Sequence, residues 1–293
     1  MTDRHKGILY MVCGSFFLAL MATFVKLSGE MPVVEKLFFR SIVGAVVSGY
    51  LLYRKGEGFG GHNRKVLFLR ALFGCVALVF NFIAIDRLPL ANAVILNQLS
   101  PFFTIIFAYL LLKERMVKQQ WYAIGIALIG VVLIVKPGPG YTLFPAIAGL
   151  LSAILAAVAY VIVRFLRKSD NPQTIVFYFT TFTCLATFPF MVAGQYVTPS
   201  PLQLATLFAV GVAATSGQFL LTNAYRYCEA GDLSIYSYVY ALFAMILGFL
   251  LWREVPGTLG FVGVLLVLAG AYLNWLSMRE REPEKFEVEE GKE

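Results

Sequence analysis

The stretch Ala84–Arg115, AIDRLPLANAVILNQLSPFFTIIFAYLLLKER, returns 140 residues later as Ala224–Val255, AYRYCEAGDLSIYSYVYALFAMILGFLLWREV. The two align without a gap. Ala84 falls on Ala224, Leu110-Leu111 on Leu250-Leu251 and Glu114 on Glu254, and the register runs on to place Gly130 on Gly270. At a shift of 138, Ala19–Lys26 aligns with Ala157–Arg164, so a small indel in a loop separates the two registers. Each copy holds an apolar run of about 20 residues, the length a helix needs to cross the hydrocarbon layer.

Outward from these runs the same pattern fills the chain. Apolar stretches at 8–28, 33–53, 66–85, 91–112, 119–135, 144–164, 173–193, 203–225, 235–251 and 258–277 follow one another with short polar breaks. Runs such as Val131–Val135 and Gly263–Leu268 do not alternate, as strands of a membrane barrel would. Backbone in lipid must satisfy its own hydrogen bonds, which leaves helices. Composition agrees: 59% of the 293 residues are hydrophobic and 14% charged, against about 45–50% and about 25% in soluble domains. The sequence therefore predicts an all-α integral membrane protein of ten transmembrane helices. Five helices per copy is an odd number, so the second copy enters the membrane from the opposite side, giving two inverted five-helix repeats, 1–138 and 139–278. Inverted repeats build many secondary transporters.

Basic residues set the orientation. Arg4, Lys6, Arg54, Lys55, Arg64, Lys65, Lys113, Arg115, Lys118, Arg164, Arg167, Lys168, Arg226, Arg279 and Arg281 gather on one side, and Lys36, Arg87, Lys136 and Arg253 on the other. The richer side is expected to be cytoplasmic, with both termini there and the chain multi-pass in the cell membrane. The net charge of +7 is then a topology signal, and no soluble basic face for nucleic acid is formed. The first run, after Arg4 and Lys6, reads as an uncleaved helix, being too long for a signal peptide and followed at once by another span. Cys13, Cys75, Cys184 and Cys228 fit neither a metal site nor a disulfide framework. Residues 279–293, rich in Glu, are expected to form a disordered acidic cytoplasmic tail.

The segment Ala84–Ala93, continuing through Pro101 to Leu112-Lys113-Glu114-Arg115, resembles the conserved block of the EamA-type proteins of the drug/metabolite transporter superfamily. The glycine-spaced stretch Gly125–Gly130 and the second copy ending in Trp252-Arg253-Glu254 before Gly257, Gly260 and Gly263 fit the same pattern. The resemblance implies a ten-helix carrier that moves small metabolites by alternating access. One departure is that Ala241 stands where Pro101 has its repeat partner, so only the first copy is expected to carry a kink-prone helix.

Polar groups inside spans carry a functional hypothesis by default. Pro101 removes a backbone hydrogen bond and opens a bend, near Asn97, Gln98 and Ser100. These either line a central cavity or bridge neighbouring helices. Ser237 and Tyr240 are the repeat partners of Asn97 and Ser100, and Tyr236 shares a face with Tyr240. Asn81, Tyr160, and the face formed by Thr215, Gln218 and Thr222 complete the substrate-binding candidates, with Phe16 and Phe17 as an apolar wall or core. Lys26 and Arg164 are repeat-equivalent and either snorkel to headgroups or form cationic mouths that gate and select anions; Arg40 is a third intramembrane cation. Acidic residues are read only at span ends: Glu114, Glu254, Asp86 and Asp232.

Without an acid deep in the membrane, a zwitterion or anion carrier (amino acids or related metabolites), running as facilitator or exchanger, is expected over a proton-coupled exporter of drugs or organic cations. That alternative would bind cations on Tyr236, Tyr240 and Phe16. An enzyme is not expected: the two histidines, His5 and His62, lie in polar segments, and no nucleophile, base or metal cluster is in view. No cofactor or metal is implied. The expected partners are a small-molecule substrate and the bilayer, with the chain a monomer or a homodimer through its small-residue helix faces.

Overall fold

The computed structural model describes residues 3–56, 58–112, 116–135, 143–166, 169–227, 233, 236–255 and 257–290, and no strand occurs among them. The principal helices are α1 (Asp3–Leu27), α2 (Val33–Arg54), α3 (Arg64–Arg87), α4 (Leu90–Asn97), α5 (Ser100–Leu112), α6 (Lys118–Val135), α7 (Phe144–Leu166), α8 (Pro172–Phe190), α9 (Pro201–Tyr227), α10 (Val239–Trp252) and α11 (Thr258–Glu290). Eight helical stretches are long and apolar enough to cross a membrane, one of them running through α4 into α5. Two shorter apolar helices, Lys118–Ile134 and Val239–Trp252, accompany them.

The outer surface is apolar: Val46, Val132, Ile129, Leu185 and Leu250 are all well exposed. An apolar exterior of this extent suits lipid and not water. Because lipid offers no hydrophobic drive between helices, packing comes from close approach of small residues. The α6–α11 contact shows this. A Cβ on Gly130 would stand 2.6 Å from the Gly263 carbonyl oxygen, one on Gly263 2.5 Å from that of Gly130, and one on Gly270 2.7 Å from that of Ala123. Under the shift of 140 the Gly130–Gly263 contact maps onto the Gly270–Ala123 contact. The larger packing pairs behave the same way: α1 lies on α9 as α7 lies on α3, and α2 lies on α8.

The fourth span is broken. α4 ends at Asn97, Gln98 and Leu99 form a turn, and α5 begins at Ser100. Pro101 has no N–H for the Asn97 carbonyl. The second copy is interrupted at the matching point, where Tyr238 forms a turn before α10, although no proline stands there. The expectation that only the first copy breaks is corrected, and the reason lies in the hydrogen bonds. At each break the backbone shifts to a tighter bond, Phe102 N–H to Leu99 and Ala241 N–H to Tyr238. Gln98 donates its side-chain amide to the Ser237 carbonyl at 2.9 Å, and the Tyr238 hydroxyl donates to the Gln98 carbonyl at 3.1 Å. Each break is thus satisfied by a side chain from the other, as buried backbone requires.

One end of the bundle is held by charge. Glu254, just after α10, accepts from the Leu90 N–H at 2.7 Å and from Lys26. Pro89, before α4, offers no side-chain cap, so the carboxylate stabilises that helix N-terminus from the far half of the chain. Lys26 also donates to the Leu88 carbonyl at 2.9 Å and lies 5.1 Å from the Trp252 ring centroid. Beside it the fully buried Lys36 donates to Asp86 at 2.7 Å and to the Gly29 carbonyl at 2.8 Å. The expectation that no acid lies within a span needs one amendment. Glu35, third residue of α2, is fully buried, with Oε1 accepting from the Val197 N–H at 2.6 Å.

Helix α11 continues through Arg279 to Glu290, where an unstructured tail was expected. This segment is rich in Glu, Arg and Lys, which favour helix, and the nucleus supplied by the preceding span carries the helix past Pro283. Cys228, Glu114 and Asp232 lie outside the described residues. Cys13, Cys75 and Cys184 are free thiols.

Candidate functional site

Midway along the bundle, α2, α8 and α9 enclose a small pocket whose lining includes Arg40, Gly44, Phe179, Thr180, Thr215 and Gln218. Arg40 enters from the second turn of α2, and its guanidinium carbon lies 5.7 Å from the Phe179 ring centroid. From the neighbouring α3, Arg70 reaches the same ring at 3.9 Å. Both arginines are buried, at 7% and 6% exposure. They are within electrostatic range of each other and of Tyr160, and Arg40 is also in range of Tyr240. Among the described residues the ion pairs are Lys6–Asp3, Lys26–Glu254, Lys36–Asp86 and the contact of His62 with Asp170, so no carboxylate pairs with either arginine.

Two glycines make the room. A Cβ on Gly74 would stand 2.9 Å from the Phe179 ring and 3.1 Å from Nη1 of Arg70. One on Gly44 would stand 2.8 Å from the Thr180 methyl. Tyr160, on α7, is half exposed, and the two buried arginines are its charged neighbours.

The sequence-derived candidates distribute unevenly around this space. Gln218 lines the pocket, Tyr160 is within electrostatic range of both arginines, and Tyr240 is buried within range of Arg40. Asn97 and Gln98 act as helix bridges, Asn97 donating to Ser152 Oγ at 2.9 Å and Gln98 to Ser237. Ser237 enters through its backbone carbonyl. Ser100 is buried, and its carbonyl accepts from Thr104 at 2.7 Å. Asn81 is buried on α3 with Oδ1 lacking a hydrogen-bond partner. Tyr236 packs against a separate cluster of Met11, Ala224 and Leu233. Phe16 stacks edge-on against Phe17 and Phe243. Arg164 and Thr222 fall on α7 and α9, but their side chains lie outside the described residues. Lys26 is corrected: its charge is met by Glu254, so it offers no free cation to a passing anion.

Sequence reasoning missed Arg70. It sits inside the apolar run 66–85 and was the signal to find, since a cation at that depth is as telling as Arg40. Phe179 was invisible, one of 26 phenylalanines with nothing to single it out.

Comparison with known proteins gives the following. The profile of the EamA-like transporter family matches residues 5–136 and 143–276. The pseudopaline exporter of Pseudomonas aeruginosa is 35% identical over 269 residues, covering 90% of this chain and 94% of the relative. The S-adenosylmethionine uptake transporter of Rickettsia prowazekii is 25% identical, covering 92% and 93%. Solute carrier family 35 member G1 of Homo sapiens is 28% identical, covering 90% and 77%. A crystal structure of a protein 19% identical superposes with a TM-score of 0.65, covering 96% of this chain and 97% of the other, which shows a shared fold.

Proposed function

The chain belongs to the EamA-like transporter family, a membrane transporter of small metabolites, and from that premise we propose that it carries small polar anions or zwitterions by alternating access. The observation that carries this reading is the small pocket lined by Arg40, with Arg70 on the same Phe179 ring, cationic and without a paired carboxylate among the described residues. An organic cation would meet repulsion there from two guanidinium groups, which disfavours the drug-exporter alternative.

In this reading the chain crosses the membrane ten times, α4 and α5 forming one crossing, as inverted repeats 1–138 and 139–278 with both termini in the cytoplasm of a cell whose plasma membrane holds it. The paired packing of α1 on α9 and α7 on α3, and the mapping of the α6–α11 contacts onto themselves, support such a two-fold relation. Two like halves of opposite orientation give two arrangements of similar energy, one open to each side. The relatives, named for an exporter and for an uptake transporter, fit a fold that runs in either direction.

The test is counterflow in proteoliposomes loaded with amino acids, carboxylates or quaternary amines in turn. The expected result is trans-stimulated uptake of labelled zwitterions or anions. Stimulation by quaternary amines alone would overturn the proposal in favour of cation export.

A further inference from the structure

Two guanidinium groups meet one aromatic ring, and their donors are not used up. Nε of Arg40, and Nε and Nη1 of Arg70, are buried without a hydrogen-bond partner. Phe179 orients both groups by cation–π attraction, but a ring accepts no hydrogen bond of the strength an ion requires. Buried cations of this kind are costly in a membrane protein and mark the path of a ligand. Arg in particular presents a planar fork that matches carboxylate and phosphate oxygens.

Resting on the transporter reading above, we infer that Arg40 and Arg70 form the charge-recognition centre of the transport site and select a substrate with two negative charges, borne as two carboxylates or as one phosphate ester. The charge count decides the valence. A monoanion between the arginines leaves one guanidinium uncompensated in a low-dielectric space, and a dianion neutralises both. The two cations also repel each other, so an anion held by both relieves that repulsion. Both arginines belong to the first half of the chain. The repeat counterpart of Arg70, at the shift of 140, is Val210. Among the described side chains the second half contributes Phe179 and Gln218 to the lining and Tyr160 nearby, none of them charged. Among the described residues, then, the charge at this centre comes from the first half.

The experiment is a thermal-shift titration of the purified full chain in detergent at fixed ionic strength. Probes are the dicarboxylates from oxalate to adipate and glycerol phosphate, against acetate, butyrate, glycine and choline. At least one dianion is expected to bind about tenfold or more tightly than the monoanion of matching size, as a second buried charge contact implies. Arg40→Gln and Arg70→Gln should each abolish that preference. Arg70→Lys, which keeps the charge and loses the fork, should retain part of it. Size-exclusion profiles identify any variant that fails to fold, and the lysine variant then carries the comparison. A dicarboxylate response without one to glycerol phosphate assigns the two-carboxylate form, and the reverse assigns the phosphate ester. Equal binding of monoanions, no dianion response, or an undiminished preference in both glutamine variants would overturn the inference. Counterflow of a zwitterion in those same cases leaves the transporter reading standing. Dianion binding without counterflow of any compound would overturn that reading instead.

Discussion

Glu254 joins three elements at one end of the bundle, and cutting it free should have a measurable cost. Consider Lys26→Met, Glu254→Gln and the double variant. The two side chains are only 15% and 21% exposed, so Lys26→Met strands a carboxylate that is largely out of water. Breaking a fully buried pair costs about 3–5 kcal/mol, and partial hydration lowers this to roughly 2–3 kcal/mol here. Glu254→Gln retains an acceptor for the Leu90 N–H but leaves Lys26 with the Leu88 carbonyl and Trp252 alone, at about 1–2 kcal/mol. The double variant removes both charges at once. Its loss should fall short of the summed single losses by about 1–2 kcal/mol, the coupling expected of residues in direct contact. The assay is unfolding in detergent followed by intrinsic fluorescence, where about 2–4 °C of midpoint accompanies each kcal/mol. Single losses that add in the double variant to within about 0.5 kcal/mol would refute a working ion pair at this position.

Other substitutions probe separate features. Gly130→Ala drives a methyl group toward the Gly263 carbonyl, a backbone atom with no rotamer to yield, and should cost about 1–3 kcal/mol, read as a lower unfolding midpoint; an unchanged midpoint would contradict the close approach. Tyr238→Phe deletes the donor to the Gln98 carbonyl and should destabilise by about 1–2 kcal/mol in the same assay, while Tyr236→Phe should do less. Gly74→Ala pushes Phe179 and Arg70 apart and should weaken anion-induced stabilisation more than it lowers the ligand-free midpoint. Lys36→Met leaves Asp86 without its ion pair and should reduce the yield of folded protein more than Lys6→Met, whose partner Asp3 is in water.

Much of this architecture was legible in the residues. Helix placement followed from uniform apolar runs, because lipid allows few other solutions, and the register of Gly130 on Gly270 anticipated a contact that maps onto itself. The breaks were half legible. Pro101 announced the first, but the second depends on Tyr238 reaching Gln98 across the bundle, and nothing local to Tyr238 encodes that. The binding centre was harder still. Arg40 was visible as a cation within a span, Arg70 was lost inside a run of apolar neighbours, and their meeting on Phe179 depends on the rotation of three helices. Lys26 misled for the same reason: its partner lies 228 positions away, and a lone cation in sequence looks free until the chain closes on it.

Glu254 is also a matter of timing. The Leu90 N–H that it caps leaves the ribosome 164 residues earlier. At elongation rates of about 5–20 residues per second, roughly 10–30 s pass before the cap exists. During that interval the first turn of α4 lacks its cap, and of the partners Lys26 finally has, only the Leu88 carbonyl is already made. This end of the first half is therefore fastened only once Glu254, just after α10, has been made.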